Sequence, residues 1–210
     1  MQQRAHPPLL QVLTHLSEAT TGRGSRLGAA LIGALLACVG ALAASTAGAA
    51  TAPPGCANAN LRPTAKDLGA ADAATLCLVN RERTVRGLRA LHANHELGHV
   101  AATQVVSMVH GDYFADIGPS GQTPMSLVDV TRYRAHAAEV AVGQNIAWGT
   151  GGDTTPAHIV QEWMASPPHR EIMLSSEYRD AGVASTSAVP AVLNTRGRGA
   201  TYVIEFGARL

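Results

Sequence analysis

The stretch from Gly143 to Leu174, GQNIAWGTGGDTTPAHIVQEWMASPPHREIML, decides how the rest of the chain is read. It divides into a short strand or turn, a glycine loop, a capped helix and a second turn that delivers a histidine. Thr155 is placed to cap the helix N-terminus, and Pro156 suits the first helical position, where no backbone N–H is needed. Ile159, Val160, Trp163 and Met164 then recur on one face at helical spacing. Ser166-Pro167-Pro168 is read as the helix end, because proline clashes with the preceding turn and restrains the residue before it. His169 and Arg170 follow at once. One helical excursion therefore carries Gly143-Gln144-Asn145 at one end and His169-Arg170 at the other.

Working outward toward the N-terminus, two more helices are expected. Asp67 to Arg86 has Leu68, Leu76, Val79 and Arg83 near one face. Gly87 suits the left-handed position after a helix, with Leu88 as the apolar contact behind it. Asn80 is the polar residue of this helix best placed to tie it to a loop. Asn94 is a natural N-cap for the next helix, whose stripe is Leu97, Ala101, Val105 and Met108. Tyr113-Phe114-Ala115-Asp116 follows, and Pro119 to Pro124 opens a third helix through about Tyr133. Toward the C-terminus, Ala181 to Ala184 and Thr201 to Gly207 (TYVIEFG) are strand candidates, the second alternating like a half-buried strand. Pro190 to Gly199 between them is read as a mobile basic loop.

These blocks, in this order, resemble the bacterial branch of the CAP superfamily: cysteine-rich secretory proteins, antigen 5 and pathogenesis-related proteins, also called SCP-like domains. The family writes Gly-Glu-Asn-Ile-Ala, then an apolar helix with Trp, then Ser-Pro-Gly-His-Arg. The opening block Leu78-Val79-Asn80-Arg81-Glu82-Arg83 with Gly87-Leu88 and Leu91 also matches, as does Tyr113-Phe114. The likeness covers roughly residues 68 to 210. It implies an α+β fold: an α-β-α sandwich with a small antiparallel sheet between helices.

The N-terminal region carries a different signal. Leu27 to Ala44 is an almost unbroken apolar run, preceded by Arg4, Arg23 and Arg26 and followed by Ala47-Gly48-Ala49, which fits an Ala-x-Ala cleavage site. Residues 1–49 are therefore expected to be a secretory signal peptide with a long n-region. Two other readings stay open. About 18 apolar residues nearly span a bilayer, so the segment can instead be an uncleaved anchor, which would be the protein's only route to a membrane. Leu35-Leu36-Ala37-Cys38 also loosely resembles a lipobox. Residues 50–66 are expected to be a Pro/Ala-rich linker and residues 67–210 the CAP domain. All of these readings place the domain outside the cytoplasmic membrane, secreted or in the cell envelope.

Composition narrows function. Of 210 residues, 46% are hydrophobic but only 4% aromatic, so alanine supplies much of the apolar content. A net charge of +1 gives no footprint for nucleic acid or a polybasic membrane patch, and no nucleic-acid partner is expected. Loss of Cys38 with the leader would leave Cys56 and Cys77, an even pair in an oxidising compartment, which points to one disulfide. Two unpaired thiols, with Cys77 simply buried, is the alternative.

One motif invites a different reading. His95-Glu96-Leu97-Gly98-His99 satisfies His-Glu-x-x-His, the helical signature of zinc peptidases. The core stripe starts at Leu97, two residues from either histidine and so about 200° around the axis. His95 and His99 therefore face away from the core. A catalytic zinc also needs a third protein ligand. The extended metzincin pattern asks for glycine and histidine where this chain has Ala102 and Val105. His95 and His99 remain only weak metal candidates.

In the wider CAP family, the resemblance implies, two histidines and two glutamates line a cleft able to bind a divalent cation. Carried over residue by residue, the first histidine falls on Asp116, the glutamate of Gly-Glu-Asn on Gln144, and the second glutamate on Ser166. His169 alone keeps the family's residue. Pro168 stands for glycine and Ile172 for asparagine. Gln144 supplies neither a carboxylate base nor charge for a metal, and two remaining groups are too few for a tight site. Asp116, Gln144, Asn145 and His169 are thus the cleft candidates, with no cofactor, no metal and no catalytic residue expected. Asn145 is also placed to satisfy turn backbone, His169 to bridge backbone groups, and Trp163 to join the core.

The expectation is a monomeric, non-enzymatic binding protein. The resemblance implies a lipid or other hydrophobic molecule, or a cell-wall component, as ligand. The alternatives are an extracellular hydrolase, either a degenerate CAP peptidase or a His-Glu-x-x-His enzyme, and a structural envelope module without a small ligand.

Overall fold

The computed structural model describes residues 55–135 and 137–210. The segment read as a signal peptide, its apolar run and Cys38 lie outside the described residues, as does the start of the stretch read as linker. Among the described residues no helix is long and apolar enough to cross a membrane.

The first helix, α1 (Leu68–Thr84), ends as its glycine signal requires: Gly87 has φ 74°, and the Leu88 N–H returns to the Arg83 carbonyl. Asn80 fixes the following loop with both ends of its amide, donating to Leu91 O at 3.0 Å and accepting from Leu91 N at 2.7 Å. The loop forms a two-residue strand, β1 (His92–Ala93), and Asn94 then caps α2 (His95–His110), accepting from the N–H groups of Glu96 and Leu97. The third helix, α3 (Pro124–Asp129), is shorter than the expected span to Tyr133. Thr123 and Ser126 form a capping box that starts it, and Val130 and Thr131 already turn back.

Gly143-Gln144-Asn145 belongs to an 11-residue strand, β2 (Val140–Thr150), and not to a turn. A 3-10 turn leads into α4 (Pro156–Ala165), where Thr155 is the N-cap through its hydroxyl and Pro156 the first residue. Ser166-Pro167-Pro168 ends that helix but also begins another. In α5 (Pro167–Leu174) both prolines occupy N-terminal positions whose N–H groups are free in any helix, so His169 sits in a helical first turn. The last strands are β3 (Asp180–Thr186) and β4 (Gly199–Arg209), with a 3-10 turn at Ala191–Leu193 in the loop between them.

The sheet order is β1-β3-β4-β2. The three long strands are antiparallel, but β1 pairs parallel with β3, so the sheet is mixed and not the wholly antiparallel one expected. Residues Tyr202, Ile204 and Phe206 of β4 face α1, α4 and α5, in a core with Leu78, Val79, Ile159, Trp163 and Met173. Val203 faces α2, against Ala101, Val105, Met108 and Ile146. Leu97, Val100, Val128, Tyr133 and Val140 extend that second layer. The architecture is the α-β-α sandwich. Gly182 lets α2 lie directly on β3, because a Cβ there would run into the backbone of Leu97 and Gly98.

Cys56 and Cys77 form a disulfide that closes 21 residues. Cys56, Ala59 and Leu61, from the stretch read as linker, pack against the α1–α4–α5 core. Ala59 O also accepts from the Ala157 N–H.

Candidate functional site

Successive residues of a strand point to opposite faces, and that rule splits the candidate cleft. Gln144 pairs with Glu205 and Asn145 with Ile204 across β2 and β4. Gln144 is 7% exposed on the α2 side, and Asn145 is 0% exposed on the side of α4 and α5.

On the α2 side, the Gln144 Nε2 donates to Glu205 Oε1. Glu205 is 0% exposed, in the middle of a strand whose residues are otherwise almost all apolar or small. Burial pushes its carboxyl up to about 8, the Gln144 bond offsets part of this, and the charge of Asp116 adds to it. Asp116 thus lies within electrostatic reach of the pair. Its own carboxyl is raised by burial. Its loop is pinned by Gln104, whose Nε2 donates to Ala115 O at 2.9 Å and Asp116 O at 3.4 Å. Glu205 was not among the sequence candidates; a lone carboxylate within TYVIEFG was the available signal.

On the other side, Asn145 Nδ2 donates to the His169 carbonyl at 3.0 Å, which ties β2 to the first turn of α5. The His169 ring meets Ser166 Oγ through Nδ1 at 2.8 Å. Burial lowers its pKa from the ordinary value of 6.5, so the imidazole is neutral at neutral pH. Trp163 is core, and its indole N–H donates to Ile146 O at 3.1 Å. Asp116 and Gln144 therefore gather around Glu205, while Asn145 and His169 join through a backbone carbonyl on the opposite face.

The residues do not fit the divalent cation that the resemblance implies. The amide at position 144 is neutral and turns its nitrogen toward the neighbouring carboxyl, so it brings no charge to a metal where the family has a carboxylate. Among the described residues no three or more His, Cys, Asp or Glu side chains gather as a metal would need. His95 and His99 stack edge to face with centroids 4.1 Å apart on the exposed side of α2, and Glu96 accepts from the Arg132 N–H at 3.3 Å.

A separate feature lies between α1 and α4. A groove of about 580 Å³ is lined by the apolar Leu78, Ala157, Val160 and Met164 and by the polar Arg81, Glu82, Arg86, Gln161 and Arg170. Arg86 is already paired with Glu82 at 2.7 Å, and Arg170 is steadied by Met164 O at 3.0 Å. Among the described residues Arg81 has no such side-chain tie in the groove.

Comparison with known proteins agrees with this architecture. The model of the cysteine-rich secretory protein family, CAP, matches residues 76–189. The uncharacterized protein YkwD of Bacillus subtilis is 29% identical over 106 residues, which is 50% of this chain and 38% of that protein. The chain thus spans well under half the length of that relative. Among solved structures, an outer surface protein of Borrelia burgdorferi superposes with a TM-score of 0.51 at 18% identity, covering 64% of this chain and 90% of that one. An extracellular SCP-domain protein of Bacillus anthracis gives 0.48 at 19% identity, over 67% of this chain and 40% of its own.

Proposed function

We propose a binding role for this chain, which belongs to the CAP (cysteine-rich secretory protein) family. It acts outside the cytoplasmic membrane after removal of residues 1–49, as a monomer, and takes an amphipathic ligand with an acyl-like tail and an anionic head. The observation that carries this reading is the α1–α4 groove, where Ala157 and Met164 lie half-buried beside three arginines, one of them paired with Glu82. An alkyl chain laid in the groove removes its own apolar surface from water, together with what Ala157 and Met164 still expose, at about 25 cal/mol per Å² buried. A carboxylate or phosphate beside the arginines meets guanidinium groups suited to bidentate contact.

A non-enzymatic role rests on the state of the cleft residues. Gln144 is no base, Asn145 gives its Nδ2 to the His169 carbonyl, and the His169 Nδ1 is engaged with Ser166. The test is titration of the purified mature protein with a fluorescent long-chain fatty acid. Saturable binding is expected, weakened about tenfold in Arg81→Ala, since one charge-assisted contact is worth about that factor. Ala157→Trp should fill the groove and abolish binding. Absence of saturable binding, or binding indifferent to both substitutions, overturns the reading.

A further inference from the structure

Gly182, Glu205 and Gln144 form one row across β3, β4 and β2. Within that row two buried oxygens, Gln144 Oε1 and Glu205 Oε2, have no hydrogen-bond partner among the described residues. The bond between the same two side chains uses the other atom of each, Nε2 and Oε1. A carboxylate and a primary amide joined by one such bond keep two acceptors over. In a dry interior each orphaned acceptor costs about 1–3 kcal/mol. A single proton repairs both. Placed on Glu205 Oε2 it makes that atom a donor, and the acceptor left for it is Gln144 Oε1.

We propose that Glu205 is carried as a neutral carboxylic acid closed onto the Gln144 amide in a ring of two hydrogen bonds, so that the β2–β4 pairing is a proton-binding site. The surroundings favour it. The row is flanked by Gly182 on β3, which brings no polar group. Over Gly182 lies the backbone of Leu97 and Gly98 of α2, and the buried Gln104 of the same helix is spent on the Ala115 and Asp116 carbonyls. The titratable groups that feel Glu205 are Asp116, from the loop after α2, and Tyr178, from the loop after α5. Both are acids, and neither stabilises a second negative charge. Among the described residues no cation enters the balance at Glu205, whose carboxyl is pushed up to about 8 chiefly by burial. A hard cation held by the same two oxygens is the competing occupant, but such ions ask for about six to eight oxygen ligands.

The linkage has a definite sign. The folded pKa of Glu205 lies above the ordinary 4.5, so the folded state holds the proton more tightly. Its contribution is whole below about pH 4.5 and is lost as pH rises toward about 8. Asp116 is shifted in the same direction, and substitution separates the two.

The experiment is NMR titration of the full mature chain with carbon-13 in the glutamate carboxyls, beside thermal denaturation over the same pH range. One glutamate carboxyl is expected to titrate far above the others in the wild type. Its signal disappears in Glu205→Gln, whose amide–amide pair keeps the shape and flattens the fall in Tm between about pH 5 and about pH 8. Exchanging the pair, Gln144→Glu with Glu205→Gln, should restore the high titration and the fall. If every wild-type glutamate titrates in the ordinary carboxylate range, the proposal is overturned, and that result needs no variant. It is equally overturned by calcium that survives dialysis of the wild type and is lost from Glu205→Gln. A null result in fatty-acid binding leaves these readouts untouched.

Discussion

Gln144 and Asn145 carry the same primary amide, one methylene apart in length, on adjacent residues of β2, and both are buried. The face on which each lies decides its work. Toward α2 the Gln144 amide meets an acid, Glu205, and the pair's energy depends on a proton. Toward α5 the Asn145 amide meets a carbonyl, that of His169, and the bond ties a helix to the sheet edge whatever the pH. The titratable residue that each amide meets, Glu205 on one face and His169 on the other, shifts in the opposite sense but for one reason, since burial favours the neutral form of both. Adjacent residues in a strand are therefore poor evidence of a shared site, and the alternation of faces outranks proximity in sequence.

The largest expected effect is on the acid face. Gln144→Leu leaves a fully buried carboxyl without its amide, and a loss of about 3 kcal/mol in urea denaturation at neutral pH follows from the cost of an orphaned buried polar group. Asn145→Ala should cost about 2 kcal/mol, from a lost bond and a small void. Hydrogen exchange should then show faster opening of α5, while the amides of α2 stay protected. An Asn145→Ala variant that loosened α2 as much as α5 would erase the distinction between the faces.

The pH dependence sharpens the same contrast. His169 has a folded pKa below 6.5, so the unfolded chain takes up its proton first. Its contribution to stability is present above about pH 6.5 and is lost as pH falls below it. That is the reverse of the Glu205 dependence. His169→Gln should therefore remove part of the acid-side fall in Tm and leave the alkaline-side fall in place. Ser166→Ala should cost about 1 kcal/mol, the usual worth of one hydrogen bond, measured by the same denaturation.

Much of the fold could be read locally. Asn94 and Thr155 cap helices because their oxygens reach N–H groups that every helix start leaves free. Gly87 takes the left-handed turn, and the stripes Leu97-Ala101-Val105-Met108 and Ile159-Val160-Trp163 face the sheet. What misled was context that lies far away in sequence. TYVIEFG alternates, which suggests one wet face, but β4 lies between β3 and β2 with helices on both sides, so Glu205 is sealed in. Pro167-Pro168 stops one helix by the same chemistry that lets it start the next. Asp116 and Gln144 came together because β2 and the loop after α2 serve one face, whereas His169 rides on α5 behind the other.

The smallest effect is expected at His95 and His99. Both amides of β2 are buried and their loss is felt, but these two histidines stand in water on the outer side of α2, with their rings against each other. Glu96 between them is held by the Arg132 N–H, a contact that orients it along the α2–α3 junction. Exposed substitutions away from caps and networks leave stability almost unchanged. His99→Ala should thus match the wild type in Tm and in fatty-acid binding. A two-histidine pair at this spacing can still take up zinc weakly, so metal retained on an affinity column decides nothing. The decisive measurement is peptide hydrolysis by protein dialysed against chelator and resupplied with zinc. Hydrolysis present in the wild type and abolished by both His99→Ala and Glu96→Gln would make the outer face of α2 a peptidase site. It would also reverse the ranking of the two regions, with the exposed histidines carrying the chemistry and the buried amides only the scaffold.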